Sequence, residues 1–278
     1  MAEETMTPAR KRPVGMLATL LICAVLALAS LWFIPDFPHH AYLSGWLLFA
    51  LMLILTFFNF RKKVPFLRMG KASFWLRMHI CLGIFSGVLF FVHMGWSWPS
   101  GLFRQIFAWC FLIVFASGLV GWWMSRSFPK RLTVAGYETP FERMADARNK
   151  LRKQAEALVL ANGEGKSPSL VAVRYADLFG SFFTKPCNFW AHLMESRSPQ
   201  AAHASQFDEM QRYIEKSEQE RFEELRELVA RKHMLDYQYS LQLALRLWLF
   251  VHIPLSYSLL AFSVLHIILV HSFSAAVS

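Results

Sequence analysis

Acidic side chains are scarce in this 278-residue chain: 19 Asp and Glu stand against 29 Lys and Arg, and all four charged types make up only 17% of it. With 55% apolar residues and a positive mean hydropathy of +0.33, there is too little polar surface for an ordinary soluble domain. Cysteine is scarce as well. Cys23, Cys81, Cys110 and Cys187 form no C-x-x-C-H attachment motif and no iron–sulfur spacing, and three of them fall in apolar runs, so no structural disulfide is expected. No G-x-G-x-x-G occurs. Gly163-Glu164-Gly165-Lys166-Ser167 resembles the tail of a phosphate-binding loop, but Leu160 stands where that loop needs its first glycine and no strand precedes it. Nucleotide binding on this signal is excluded, and there is no internal repeat or low-complexity tract.

What the chain has in abundance is charge-free length. Residues 14–34, 41–60, 78–98, 105–124 and 247–278 carry no Asp, Glu, Lys or Arg, and each meets the roughly 20-residue requirement of a membrane-spanning helix. Five spans are expected. Arg10, Lys11 and Arg12 before the first run, and Ala27-Leu28-Ala29 within it, have the look of a secretory signal. The apolar run continues through Leu31, Trp32, Phe33 and Ile34, which favours an uncleaved anchor.

Basic residues set the orientation. Arg10, Lys11 and Arg12, the loop residues Arg61, Lys62, Lys63, Arg68 and Lys71, and then Arg126, Lys130 and Arg131 all fall on one side, whereas 35–40 and 98–104 hold only Arg104. The positive-inside rule puts the amino terminus in the cytoplasm and the carboxyl terminus in the periplasm of a multi-pass protein of the bacterial cytoplasmic (inner) membrane. Between 126 and 240 the chain has 18 Lys and Arg against 16 Asp and Glu. The basic excess therefore sits at the membrane flanks, as a topology and lipid-headgroup signal, and no nucleic acid is expected.

The expected fold is an all-α integral membrane bundle: residues 1–125 as membrane helices 1–4, 126–240 as a mainly helical cytoplasmic insertion, and 241–278 as membrane helix 5. Within the insertion, Thr139-Pro140-Phe141-Glu142 has the form of a capping box, predicting a helix to about Ala161. Ser167 and Pro168 open a second expected helix, over 167–183. The apolar stripe of Phe207, Met210, Ile214, Leu225, Leu228 and Val229 predicts one long helix over 205–239. The aromatic group Phe179, Phe182, Phe183, Phe189 and Trp190 reads as a small core or a membrane-lying helix.

Histidine placement carries the functional signal. His79 and His93 lie in the third apolar run, and His252 and His266 repeat the same spacing in the fifth. Fourteen residues at 100° each leave both members of a pair within about 40° of one face, roughly 21 Å apart along the axis. Both runs cross in the same sense, so His79 can face His252 near the cytoplasmic side, and His93 can face His266 near the outer side. Gly83 and Ser256, four positions after the first histidine of each pair, and then Ser86 and Ser263, keep that face small. Neutral imidazole ligates haem iron and avoids a charge in lipid. Two haem b groups, each held by one histidine from each helix, account for all four residues, with Arg77 and Arg246 placed to pair with propionates of the inner haem.

This H-x13-H pair on each of two non-adjacent helices resembles the di-haem cytochrome b subunits of quinol-oxidising bc-type complexes, and is similar to the transmembrane domain of ferric reductases and NADPH oxidases. The resemblance covers about a fifth of the chain and implies His79, His93, His252 and His266 as axial iron ligands. This chain departs from those families in its long insertion and in having no flavin- or nicotinamide-binding region, which argues against a self-contained NADPH-driven reductase. The expected function is transmembrane electron transfer, from quinol in the lipid to a periplasmic cytochrome or other redox subunit. A ferric-reductase-like conduit fed by a separate cytoplasmic donor, and a histidine-based metal or proton transporter without haem, are the alternatives.

Other residues read more plainly. His39 and His40 belong to a short outer loop, His271 lies about 140° around the helix from His266 and so off the same face, and His192, His203 and His233 are ordinary residues of the insertion. Pro254 is expected to kink its helix, Trp96, Trp98 and Trp122–Trp123 to anchor span ends, and Gly118 and Gly121 to allow close packing.

Overall fold

A computed structural model describes residues 40–60, 72–134, 139–160, 175 and 179–274, with 25, 29 and 32 also placed. The described residues are mainly helical, with no strand among them. Three long helices come first: α1 (His40–Phe60), α2 (Ala72–His93) and α3 (Leu102–Val134). Then follow a 3-10 turn at Phe141–Arg143, α4 (Met144–Leu160), the short α5 (Gly180–Thr184) and α6 (Phe189–Leu193), α7 (Ser198–Met210), and the 56-residue α8 (Gln219–Ser274).

Four of these helices, α1, α2, α3 and α8, are long and apolar enough to cross a membrane. In α8 the apolar stretch is its charge-free end, from Leu247 onward. The remaining expected span, over 14–34, lies almost wholly outside the described residues, as does the expected helix over 167–183 up to Phe179. The chain divides into two compact units, one made of residues up to Trp123 together with those from Trp248, the other of Met124–Leu247.

In the first unit the core takes Leu48, Leu51 and Met52 from α1, Phe85, Leu89 and Phe90 from α2, Phe111 from α3, and Leu259 from α8. Phe90 stacks on Phe111 at 4.1 Å between ring centres. Glycine sets how closely these helices approach: a Cβ on Gly87 would meet the Phe115 ring at 2.5 Å, and one on Gly121 would overlap the Trp248 indole. One expectation is corrected here, since Cys81 is disulfide-bonded. Spacing along a sequence cannot show which sulfurs two helices bring face to face.

The second unit has its own core, in which Ala155, Phe179, Phe182, Phe183, Phe207, Phe222, Leu225 and Leu228 are buried together. The single helix expected over 205–239 is two. α7 ends at Met210, Gln211–Tyr213 form a 3-10 turn, Ile214 is extended, and α8 begins at Gln219. Phe207 and Phe222, fifteen residues apart, would lie about 22 Å apart on a straight helix; their ring centres are 5.4 Å apart. Folding back lets both halves of the apolar stripe enter one core.

The capping box is not formed either. The Thr139 N–H donates to Gln238 Oε1 and its carbonyl accepts from Gln242 Nε2, while Glu142 pairs with Arg246 instead of reaching back to Thr139. Phe179, Phe182 and Phe183 are core residues, whereas Trp190 is 67% exposed.

Candidate functional site

Packing of the four helices long enough to span brings His93 of α2 and His266 of α8 together. The two rings are 6.4 Å apart between centres with planes at 90°. They line a cavity of about 480 Å³ together with Trp46, Phe49, Arg104, Phe107 and Ser263. Phe107 and Phe103 of α3 lie against His266 at 5.4 and 6.4 Å between centres.

Both nitrogens of His93 are assigned by its neighbours. A carbonyl can only accept, so Nδ1–H donates to Ala41 O at 3.1 Å, beside Ser44 Oγ at 3.1 Å. Nε2 therefore keeps its lone pair. Gly45 makes room for this ring: a Cβ there would stand 2.9 Å from His93 Cε1.

His252 is set in the same way by a different helix. Ser117 donates its hydroxyl proton to Val114 O at 2.7 Å, so the same oxygen accepts from His252 Nδ1–H at 2.6 Å. The Trp248 indole stacks on the imidazole at 5.1 Å, and its N–H is fixed on Ser117 O at 2.8 Å. The Nε2 lone pair of His252 is again free of a proton. An outer carbonyl or hydroxyl fixing the far nitrogen is the arrangement that metal-ligating histidines use.

His79 lies against Phe58 at 4.8 Å, close enough to His252 to interact with it electrostatically. Its Nδ1 is buried with no protein hydrogen-bond partner. Beside it, a Cβ on Gly83 would meet nothing within 4 Å. The serines on the histidine faces turn inward to their own helices: Ser86 donates to Gly83 O, Ser256 to His252 O, and Ser263 to Leu259 O, each at 2.8 Å.

The arginines divide differently from the expectation. Arg246 pairs with Glu142 and lies over the Phe141 ring at 4.1 Å, all within the second unit, and Arg77 is exposed with its Nε on Ser73 O. Arg104 is the arginine that lines the histidine cavity. His271 lines it too, packed edge-on to Tyr42 and Trp46 at 6.3 and 6.0 Å. Sequence reasoning set His271 aside on its angle to His266 alone; the cavity is wide enough to reach both. Ser44-Gly45 and Ser117-Gly118, small pairs inside apolar helices, were the available signal for the positions that seat His93 and His252. His39, and the side chain of His40, lie outside the described residues.

Among the described residues no group of three or more His, Cys, Asp and Glu side chains is placed to hold a bare metal ion. Comparison of the chain with protein-family models, with curated proteins and with solved structures gives no match.

Proposed function

We propose that this chain is a di-haem b-type cytochrome that carries electrons across the bacterial cytoplasmic membrane, from quinol to a redox partner on the outer side. The observation that carries the reading is the His93–His266 pair. Two imidazoles that share one metal at about 2 Å each have ring centres about 6 Å apart, and these are 6.4 Å apart at the wall of a cavity of about 480 Å³. That volume suits a cofactor. Arg104 offers the guanidinium that a propionate carboxylate pairs with.

At the other level the fit rests on His252, whose Nε2 is left unprotonated by Ser117, and on His79, whose buried Nδ1 has no partner and whose neighbour Gly83 faces open space. Arg246 is engaged by Glu142, so a propionate at this level would fall to Arg77 or remain at the lipid–water boundary. When bound, haem supplies reversible one-electron chemistry at its iron. The chain's own part is to keep four imidazoles neutral, fix which nitrogen of His93 and His252 bears the proton, and surround both levels with phenylalanine and leucine that exclude water.

In this reading five spans cross the membrane, the amino terminus and residues 126–240 are cytoplasmic, the carboxyl terminus is periplasmic, and the cytoplasmic part serves docking or assembly. Reduced-minus-oxidised visible spectra of the detergent-purified chain, with haem counted chemically, test the proposal. Two b-type haems per chain are expected, falling to one in His93→Ala. A haem-free protein, or a haem count unmoved by His93→Ala, overturns it. Quinol-dependent reduction of an acceptor supplied on the outer side then tests the direction of flow.

A further inference from the structure

The second unit gathers three histidines that the haem reading does not use. His192 comes from α6, His203 from α7 and His233 from α8. The His203 and His233 rings lie 4.9 Å apart between centres, His192 and His233 6.3 Å apart, and His203 Nδ1 and His233 Nε2 share a hydrogen bond of 2.8 Å. We propose that this cluster is an acid-responsive latch, holding α6 and α7 against α8 while its imidazoles are neutral and releasing them when it takes up protons.

The geometry gives the reason. A hydrogen bond between two ring nitrogens needs one N–H and one lone pair, so doubly protonated rings would turn two N–H groups on each other. His192 Nε2 and His233 Nδ1 are buried without a partner, so a proton arriving at either creates a cation with nothing to accept its hydrogen bond. His192 and His233 are only 2% and 4% exposed. The walls are aromatic: Phe182 packs on both His203 and His233, and Phe179 on His203.

Among the described residues, the charged groups around the cluster offer no free counter-ion. On α8, Lys232 and Asp236 are paired with each other at 2.5 Å, and Asp236 also accepts from Cys187 N–H. From α3, Arg131 donates to the carbonyls of His192 and Leu193 and pairs with Glu195. Arg148 of α4 acts on the Lys232–Asp236 pair, the Cys187 thiol is turned to Lys185 O, and Tyr237 meets His192 only by its ring. Lys232 adds positive charge beside the histidines.

Burial, followed by His203, His192 and Lys232, pushes His233 down to about 4, and burial holds His192 and His203 below the ordinary value. A folded-state value depressed below 6.5 means that the released form binds protons more readily. The latch is therefore firm above pH 6.5 and loses hold as pH falls from there to about 4. In that window the opening constant rises by up to about tenfold per pH unit for each proton taken up.

Hydrogen–deuterium exchange of the full-length protein in detergent, corrected for intrinsic exchange and followed from pH 7.5 to 5, reads this directly. Amides of 189–210 are expected to exchange about tenfold faster per pH unit below 6.5, while those of α4 hold constant. In the triple variant His192→Gln, His203→Gln, His233→Gln the pH dependence is expected to flatten. A wild-type profile without pH dependence, or a slope that survives in the triple variant, overturns the latch. Should the variant not fold, NMR titration of the wild-type imidazoles decides: rings neutral at pH 7 are required, and a cluster histidine already protonated there overturns it.

Discussion

Among the described residues of the unit that contains the histidine cavity, the buried polar side chains are Ser44, Ser86 and Ser263, each returning its hydroxyl to a carbonyl three or four residues earlier on its own helix. In Met124–Leu247 they are His192, Lys232, His233, Asp236 and Gln238, which, apart from the local Ser240, reach across to other elements. Where helices are fit to lie in lipid there is no water to repair a missed partner, so a polar group is safest when its own helix satisfies it. Away from the lipid-compatible stretches, long polar side chains act as clamps between short helices that have little apolar surface of their own. The same residue type then serves different ends: His93 and His252 each have Nδ1 held by a carbonyl or hydroxyl of another helix, whereas His203 and His233 spend nitrogens on each other.

The contrast can be broken most forcefully at Lys232. Its ammonium is fully buried against Asp236, held by Lys185 O and stacked over Phe182 at 4.7 Å. Lys232→Met leaves a buried carboxylate unpaired and is expected to cost about 3–5 kcal/mol in denaturant unfolding, with Lys232→Met, Asp236→Leu recovering much of it. A single variant as stable as the parent would show that the clamp is not closed. Next comes Gly121→Ala, whose methyl group would overlap the Trp248 indole. Overpacking of this kind costs about 1–3 kcal/mol, and a shift in tryptophan emission should accompany it. Smallest is Ser117→Ala, which removes the acceptor for His252 Nδ1–H. A net loss of about 1 kcal/mol is expected and, on the di-haem proposal, a changed midpoint potential for one haem only. Equal shifts in both haems would detach Ser117 from His252.

Much of the membrane half was open to reading because lipid imposes one rule over a long window: charge-free length. The four helices fit to span begin and end where Lys, Arg and loop residues cluster, although α3 runs on past Arg126 to Val134. Outside that regime the rules are local and compete. The stripe from Phe207 to Val229 satisfied helical periodicity on both sides of Ile214, and periodicity is blind to a reversal that places both halves in one core. Thr139 and Glu142 had the right spacing for a capping box, yet partners a hundred residues away, Gln238 and Arg246, took their hydrogen bonds. The histidine spacing was legible because it is internal to each helix. Ser44, Gly45, Arg104 and Ser117 were not, since what singles them out is which helix lies opposite.

The length of α8 has a consequence for how this chain can change over time. From Gln219 to Ser274 the helix runs on through Pro254, at about 1.5 Å and 100° per residue. Amino-acid replacements along it are separate events, but a single codon gained or lost between His252 and His266 would swing His266 by about a quarter-turn relative to His252. A seven-residue indel there returns His266 to within about 20° of its original bearing, yet moves it about 10 Å along the axis, half the spacing between the two histidine levels. Length variation in relatives of this chain should therefore gather in the loops and spare this rod.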